Sequence, residues 1–354
     1  MKPKKIFSAI LLLLYLIFLY WLLSQMTDHP LAVIMTMLLS MLFMTVTHEL
    51  GHLIGGLLTG YRFVSFRIFS FTLLKANGGW SIRQMSVPGT AGQCLMAPPR
   101  KKNGHYPFVL YHLGGILFCG CLSLFVIFTS VFIQRDTLQM LVFIFGFVSF
   151  FMNLFNAIPT NGKSMINDAT NLKMAMKSDT ARLALWNQLE YVSLHARNVR
   201  TADMPEELFA LPDKKELSNP LIIWQVIAAV EHAEDREEYE KARDIISFAL
   251  DNAPFLFPLY RSALQLEAVY LDSVLKTESD DADVYYSQIQ KTPALRNLIS
   301  FHRASYAYLL LRKKDTVGAE KALSDYQKKI KKAPFEADVI FEEKQLTYIH
   351  QIND

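Results

Sequence analysis

The chain has 354 residues, 51% of them hydrophobic and only 19% charged, against roughly 25% charged in an average soluble protein, a composition that excludes a disordered chain. Residues 1–168 carry twelve Lys/Arg and four Asp/Glu, a net +8, while residues 169–354 carry 24 and 29, a net −5; the two parts face different surroundings, and the basic residues sit beside apolar runs rather than in a stripe, which excludes a nucleic-acid partner. Three cysteines, Cys94, Cys119 and Cys121, lack framework spacing and exclude a disulfide scaffold.

Four stretches are nearly free of ionisable residues: 6–27, 30–60, 106–134 and 137–162. Each reaches the ~20 residues needed to cross the hydrocarbon core of a bilayer. The first follows Lys2, Lys4 and Lys5. Its apolar core is too long for a signal peptide and no small-x-small site follows it, so it reads as a retained anchor.

The second stretch contains Thr47-His48-Glu49-Leu50-Gly51-His52, an H-E-x-x-H pattern. On a helix, positions i and i+4 share a face one turn apart, so His48 and His52 can reach one Zn2+. Glu49, beside a ligand, is placed to take a proton from water activated by the metal. Ionisable residues at the centre of a membrane helix cost at least ~2.5–3.5 kcal/mol each on insertion scales, which favours a metal site over chance occurrence. Gly51, Gly55, Gly56 and Gly60 flank the motif as helix-packing residues.

Between the second and third stretches, residues 64–73 alternate in polarity, and a second alternating run begins at Trp80 after Asn77-Gly78-Gly79. This predicts a β-hairpin, which either covers the core or offers a strand edge to an unwound substrate. The run around Cys94 reads as a turn. His112, beside Gly114-Gly115 in the third stretch, is either a satisfied core histidine or a substrate contact. The fourth stretch ends in Asn153-Leu-Phe-Asn156-Ala-Ile-Pro159. Pro159 breaks the helix, and Asn156 can bond freed backbone or an extended peptide. A catalytic zinc takes three protein ligands and keeps one position open. Asp168 is the only carboxylate between Asp136 and Asp179 and so the best candidate third ligand.

These residues resemble the site-2 protease family of intramembrane zinc metalloproteases: H-E-x-x-H in one span, then N-x-x-P and an Asp two spans later. The resemblance covers about residues 31–172. It implies a three-helix catalytic core, His48, His52 and Asp168 as zinc ligands, Glu49 as catalytic base, and Asn156 and Pro159 as the family's Asn and Pro. The family's Asp follows its Pro by five positions; here Ser164 stands there, and Asp168 lies nine positions on, followed by Ala169. Asn167 is a weak substitute for the third ligand; with Asp168 in that place, the shifted spacing leaves Ser164 and Asn167 without a role.

Lys/Arg residues cluster at the N-terminus and between the second and third stretches, at Arg62, Arg67, Lys75, Arg83, Arg100, Lys101 and Lys102. The positive-inside rule then places both termini in the cytoplasm of a multi-pass cell-membrane protein. Residues 173–354 show helical periodicity. Glu240-Lys241-Ala242 and Ala253-Pro254-Phe255 recur 80 residues later as Glu320-Lys321-Ala322 and Ala333-Pro334-Phe335, a repeat similar to tetratricopeptide hairpins, whose arrays present a concave surface to a partner.

The expected protein is an all-α polytopic membrane protein with about four transmembrane helices and a small hairpin. Its expected divisions are an anchor (1–30), a metalloprotease core (31–172) and a cytoplasmic helical-repeat domain (173–354). The expected activity is zinc-dependent cleavage of a single-span membrane protein or hydrophobic peptide precursor. The alternative is a catalytically degenerate membrane adaptor that recruits a cytoplasmic partner through its repeats.

Overall fold

The computed structural model describes residues 12–13, 15–21, 24, 28–76, 79–85, 90–159, 166–253, 256–333 and 335–353. Much of the predicted anchor, the Asn77-Gly78 turn and Ser164 lie outside them. Tyr15 to Trp21 are helical, and the Tyr15 ring stacks 4.2 Å from that of Phe151.

Among the described residues, three helices are long and apolar enough to cross a membrane: α1 (Pro30–Leu58), α2 (Val109–Ser130) and α3 (Asp136–Ala157), with mean hydropathies of 2.0, 2.1 and 2.0. This is the character of a membrane-embedded protein. Lipid tails are as apolar as leucine, so helices associate in lipid by close packing. Here α1 and α2 meet at Gly51 and Gly114. A Cβ on either would collide with the other's carbonyl oxygen, so both positions take glycine.

Residues between α1 and α2 form more than the expected hairpin. Four antiparallel strands, β1 (Arg62–Ile68), β2 (Phe71–Ala76), β3 (Gly79–Gln84) and β4 (Gly92–Ala97), lie in the order β3-β2-β1-β4. The alternating run 64–73 is two strands, broken where Phe69 takes a positive φ of 52°. The run around Cys94 is strand β4 rather than a turn. It pairs with β1, with Cys94 opposite Phe66, a long-range partner that a local pattern does not reveal. Trp80 and Ile82 on β3 and Phe71 on β2 are exposed apolar residues on the outer part of the sheet.

After α3 come α4 (Asp168–Lys177) and α5 (Asp179–His195). Ser178 joins them and caps α5 by accepting from the Ala181 amide. Trp186 donates to the Pro99 carbonyl at 2.9 Å and Tyr106 to the Arg182 carbonyl at 2.9 Å, holding α5 against the chain that enters α2. At its far end, His195 pairs with Asp338 at 2.8 Å. Burial pushes the His195 pKa down, but the hydrogen bond and charge of Asp338 outweigh it and the net shift is upward.

The remaining helices are α6 (Pro220–Asp235), α7 (Tyr239–Asn252), α8 (Pro258–Val274), α9 (Asp281–Ile289), α10 (Ile299–Ala307), α11 (Thr316–Ile330) and α12 (Glu336–Asn353). They pack as hairpins α6/α7, α8/α9 and α10/α11. The recurring Ala242 and Ala322 are both buried, in α7 and α11. The last helix, α12, packs against the first helix of each hairpin, with Glu342 3.0 Å from Arg303 of α10. Gln345 of α12 donates to the Glu234 carbonyl and accepts from the Tyr270 hydroxyl.

At the centre of these helices is Arg303 of α10, 1% exposed. Its guanidinium lies 2.9 Å from Glu267 of α8, 3.0 Å from Glu342 of α12 and 3.9 Å from Glu234 of α6. One cation cannot neutralise two buried carboxylates and a partly buried third, and burial, only partly offset by Arg303, pushes the Glu342 pKa up to about 7. A carboxyl whose pKa rises on folding takes up a proton, so its stabilising contribution is complete below the unfolded value and is lost as pH rises through about 7. We expect hydrogen-exchange protection of α10 and α12 in the full chain to fall between pH 5 and pH 8, by on the order of 2–3 kcal/mol. Glu342→Gln should flatten that dependence; an equally steep fall in the variant would show that Glu342 is not its source.

Candidate metal centre

The buried residues of α1 include Thr45, Thr47, His48, Glu49, Gly51, His52, Gly55 and Gly56. The helix turns its few polar groups inward, because lipid offers them no partners. His48 and His52 are 5% and 6% exposed and Glu49 is 8% exposed.

The two imidazoles are tied from behind. His52 Nδ1 lies 2.8 Å from the Tyr111 carbonyl oxygen, which can only accept, so Nδ1 carries the proton. His48 Nδ1 lies 3.0 Å from Asn153 Oδ1. The Asn153 amide nitrogen donates to the Ile116 carbonyl at 2.9 Å, which fixes Oδ1 as the acceptor. In neutral imidazoles both Nε2 atoms are then bare lone pairs, and they face each other at 3.2 Å.

Asp168 completes the cluster. Its Oδ2 lies 2.9 Å from His48 Nε2 and 3.3 Å from His52 Nε2. Two lone pairs and a carboxylate oxygen converging at these distances repel unless a cation lies among them. A tetrahedral ion with bonds of ~2.0–2.1 Å holds its ligands about 3.3 Å apart; the His48–His52 and His52–Asp168 separations match this, and the His48–Asp168 separation of 2.9 Å is shorter. His48, His52 and Asp168 can therefore hold a metal ion.

Asn167 explains how Asp168 reaches the cluster from nine residues beyond Pro159. Its side-chain amide donates to the Phe155 and Ile158 carbonyls at 3.1 and 2.8 Å, closing the broken end of α3. Its Oδ1 accepts from the Thr170 amide and hydroxyl at 3.1 and 2.6 Å, opening α4. One side chain thus joins two helix ends and sets Asp168 at the first position of α4.

Gly115 and Gly92 leave room for the site. A Cβ at Gly115 would lie 2.6 Å from His52 Nε2 and 2.8 Å from His48 Nε2, and one at Gly92 would lie 2.7 Å from Glu49 Cγ.

The cluster opens into a cavity of about 810 Å³, bounded by α1, α2, the end of α3, β4, α4 and α5. Glu49, His112 and Asn156 line it. His112 is 5% exposed, and its Nε2 has no hydrogen-bond partner among the described residues. Pro159, expected to contact substrate, is not part of the cavity wall. It lies just past α3, where Ile158 is extended with φ −97° and ψ 115°, as the residue before a proline prefers, so it ends the helix. At Cys94 the outer edge of β4 is already occupied, because the Tyr111 hydroxyl donates to the Cys94 carbonyl at 2.8 Å.

Sequence reasoning missed Asn153, Asn167 and the Tyr111 carbonyl. Asn153 did leave a signal, as a carboxamide within an apolar 22-residue helix. The chain matches no protein-family model, no curated protein and no solved structure.

Proposed function

We propose that this protein is an intramembrane zinc endopeptidase of the site-2 protease type, cleaving a single-span membrane protein or hydrophobic peptide precursor. The observation that carries the reading is the three-donor cluster His48, His52 and Asp168, set in a core of apolar helices with Glu49 one residue from a ligand. Zinc suits two imidazoles and one carboxylate, and when bound it acidifies water and polarises a carbonyl. Glu49 accepts the water's proton and passes it to the leaving amine. Asn153 and the Tyr111 carbonyl hold the imidazoles in the tautomer that presents Nε2. The walls from α4, α5 and β4 limit access of bulk water.

The clustering of Lys/Arg favours a cell-membrane protein with both termini and the helical half on the cytoplasmic side. A reporter fused to the C-terminus and active only outside the cytoplasm should remain silent. Purified full-length chain should hold one zinc and cut a single-span test protein in a chelator-sensitive way. His48→Ala combined with His52→Ala should remove both metal and cleavage. Full zinc occupancy in that double variant would overturn the ligand assignment.

A further inference from the structure

Besides the metal donors, the cavity is lined by carboxamides from four different elements: Gln93 of β4, Asn156 of α3, Asn171 of α4 and Gln188 of α5. Asn167 also lines it, but its side chain is taken up by Phe155, Ile158 and Thr170, and Asn153 nearby bonds His48 and the Ile116 carbonyl. The four lining side chains form no hydrogen bond to any described residue. Among the described residues, no Lys or Arg lines the cavity, and its carboxylates are Glu49 and Asp168.

A carboxamide has the hydrogen-bonding character of a peptide group: two donors on nitrogen and an acceptor on oxygen. A helix drawn into the cavity must unwind to expose a scissile bond, and its backbone N–H and C=O groups then need new partners. Four unpartnered carboxamides on converging walls supply them without regard to side-chain identity. A charged substrate side chain in the same space would find no counter-charge among the described residues beyond the metal cluster, and burying an unpaired charge is costly.

We infer that Gln93, Asn156, Asn171 and Gln188 form a main-chain recognition site for an extended, uncharged polypeptide segment, gripped between the membrane core and α5. The inference deepens the peptidase reading and rests on it for the nature of the ligand. It makes Gln188 and Asn171, which lie outside the three spans, determinants of which substrates are accepted. The substrate class is a protein whose few residues around the scissile bond are free of Asp, Glu, Lys and Arg.

The test separates binding from cleavage. Full-length Glu49→Gln protein in phospholipid nanodiscs is titrated into a fluorescein-labelled decapeptide of Ala, Leu and Gln, and Kd is read by anisotropy. Each of Gln188→Leu and Asn171→Leu, in that background, should raise Kd about 3- to 10-fold, the worth of a hydrogen bond or two. On the protein with intact carboxamides, replacing a central Gln of the peptide by Asp or Lys should raise Kd at least ~10-fold. The inference is overturned if no peptide binds, or if Kd changes less than about twofold in both arms. If binding shows the expected dependence and the chain with Glu49 intact never cleaves, the peptidase reading fails and the recognition site stands. If cleavage occurs while Kd ignores both sets of changes, the peptidase reading stands and the recognition site falls.

Discussion

Replacing Glu49 by Gln should leave zinc bound and lower turnover by about 10²–10⁴-fold, the usual contribution of a positioned general base. The substitution keeps nearly the same volume, which matters because Gly92 packs directly against this side chain. It removes the carboxylate without disturbing the imidazole tethers to Asn153 and the Tyr111 carbonyl. Zinc content by elemental analysis and cleavage of the same single-span test protein give the two readouts. Loss of zinc would make Glu49 a ligand, and turnover within tenfold of the unmodified chain would place the base elsewhere.

Asp168→Ala should be costlier for the metal. Removing a partner that merely supports a ligand typically lowers affinity 10–100-fold, and loss of the carboxylate donor itself should exceed that, leaving two histidines. Asn167→Ala should fall in the 10–100-fold range, because the bonds that close α3 and open α4 hold Asp168 at the cluster. A competition titration with a chelating dye measures both. Equal zinc affinity in Asp168→Ala and the unmodified chain would mean that the third donor lies elsewhere. An unaffected Asn167→Ala would show that Asp168 is positioned without its cap.

The reasons for legibility differ from residue to residue. His48, Glu49 and His52 could be read because their relation is local, one helical turn apart in a stretch where charge is expensive. Asp168 could be found by elimination in a segment poor in carboxylates. Asn167 could not, because its use depends on two helix ends that only the folded chain brings together. The sheet was half legible. Alternation marks strands, but β4 is a strand through its pairing with β1, where Ile68 faces Gly92 and Arg67 faces Gln93 from distant parts of the chain. The repeat was visible in the buried Ala242 and Ala322, while the course of α12 was not, since its buried residues mix the polar Glu342 and Gln345 with Ala337 and Ile349.

Arg303 also governs the order in which the helical half can be assembled. Its carboxylate partners come from α6, α8 and α12, and the bond from Gln345 to the Glu234 carbonyl joins residues 111 positions apart. A ribosome adds ~5–20 residues per second, so α6 emerges several seconds before the helix that closes over it. During that interval Glu234 and Glu267 must remain hydrated, and the hairpins cannot seal around an incomplete charge cluster without a large desolvation cost. The helical half therefore matures late and as one unit, after the membrane helices upstream have had time to insert.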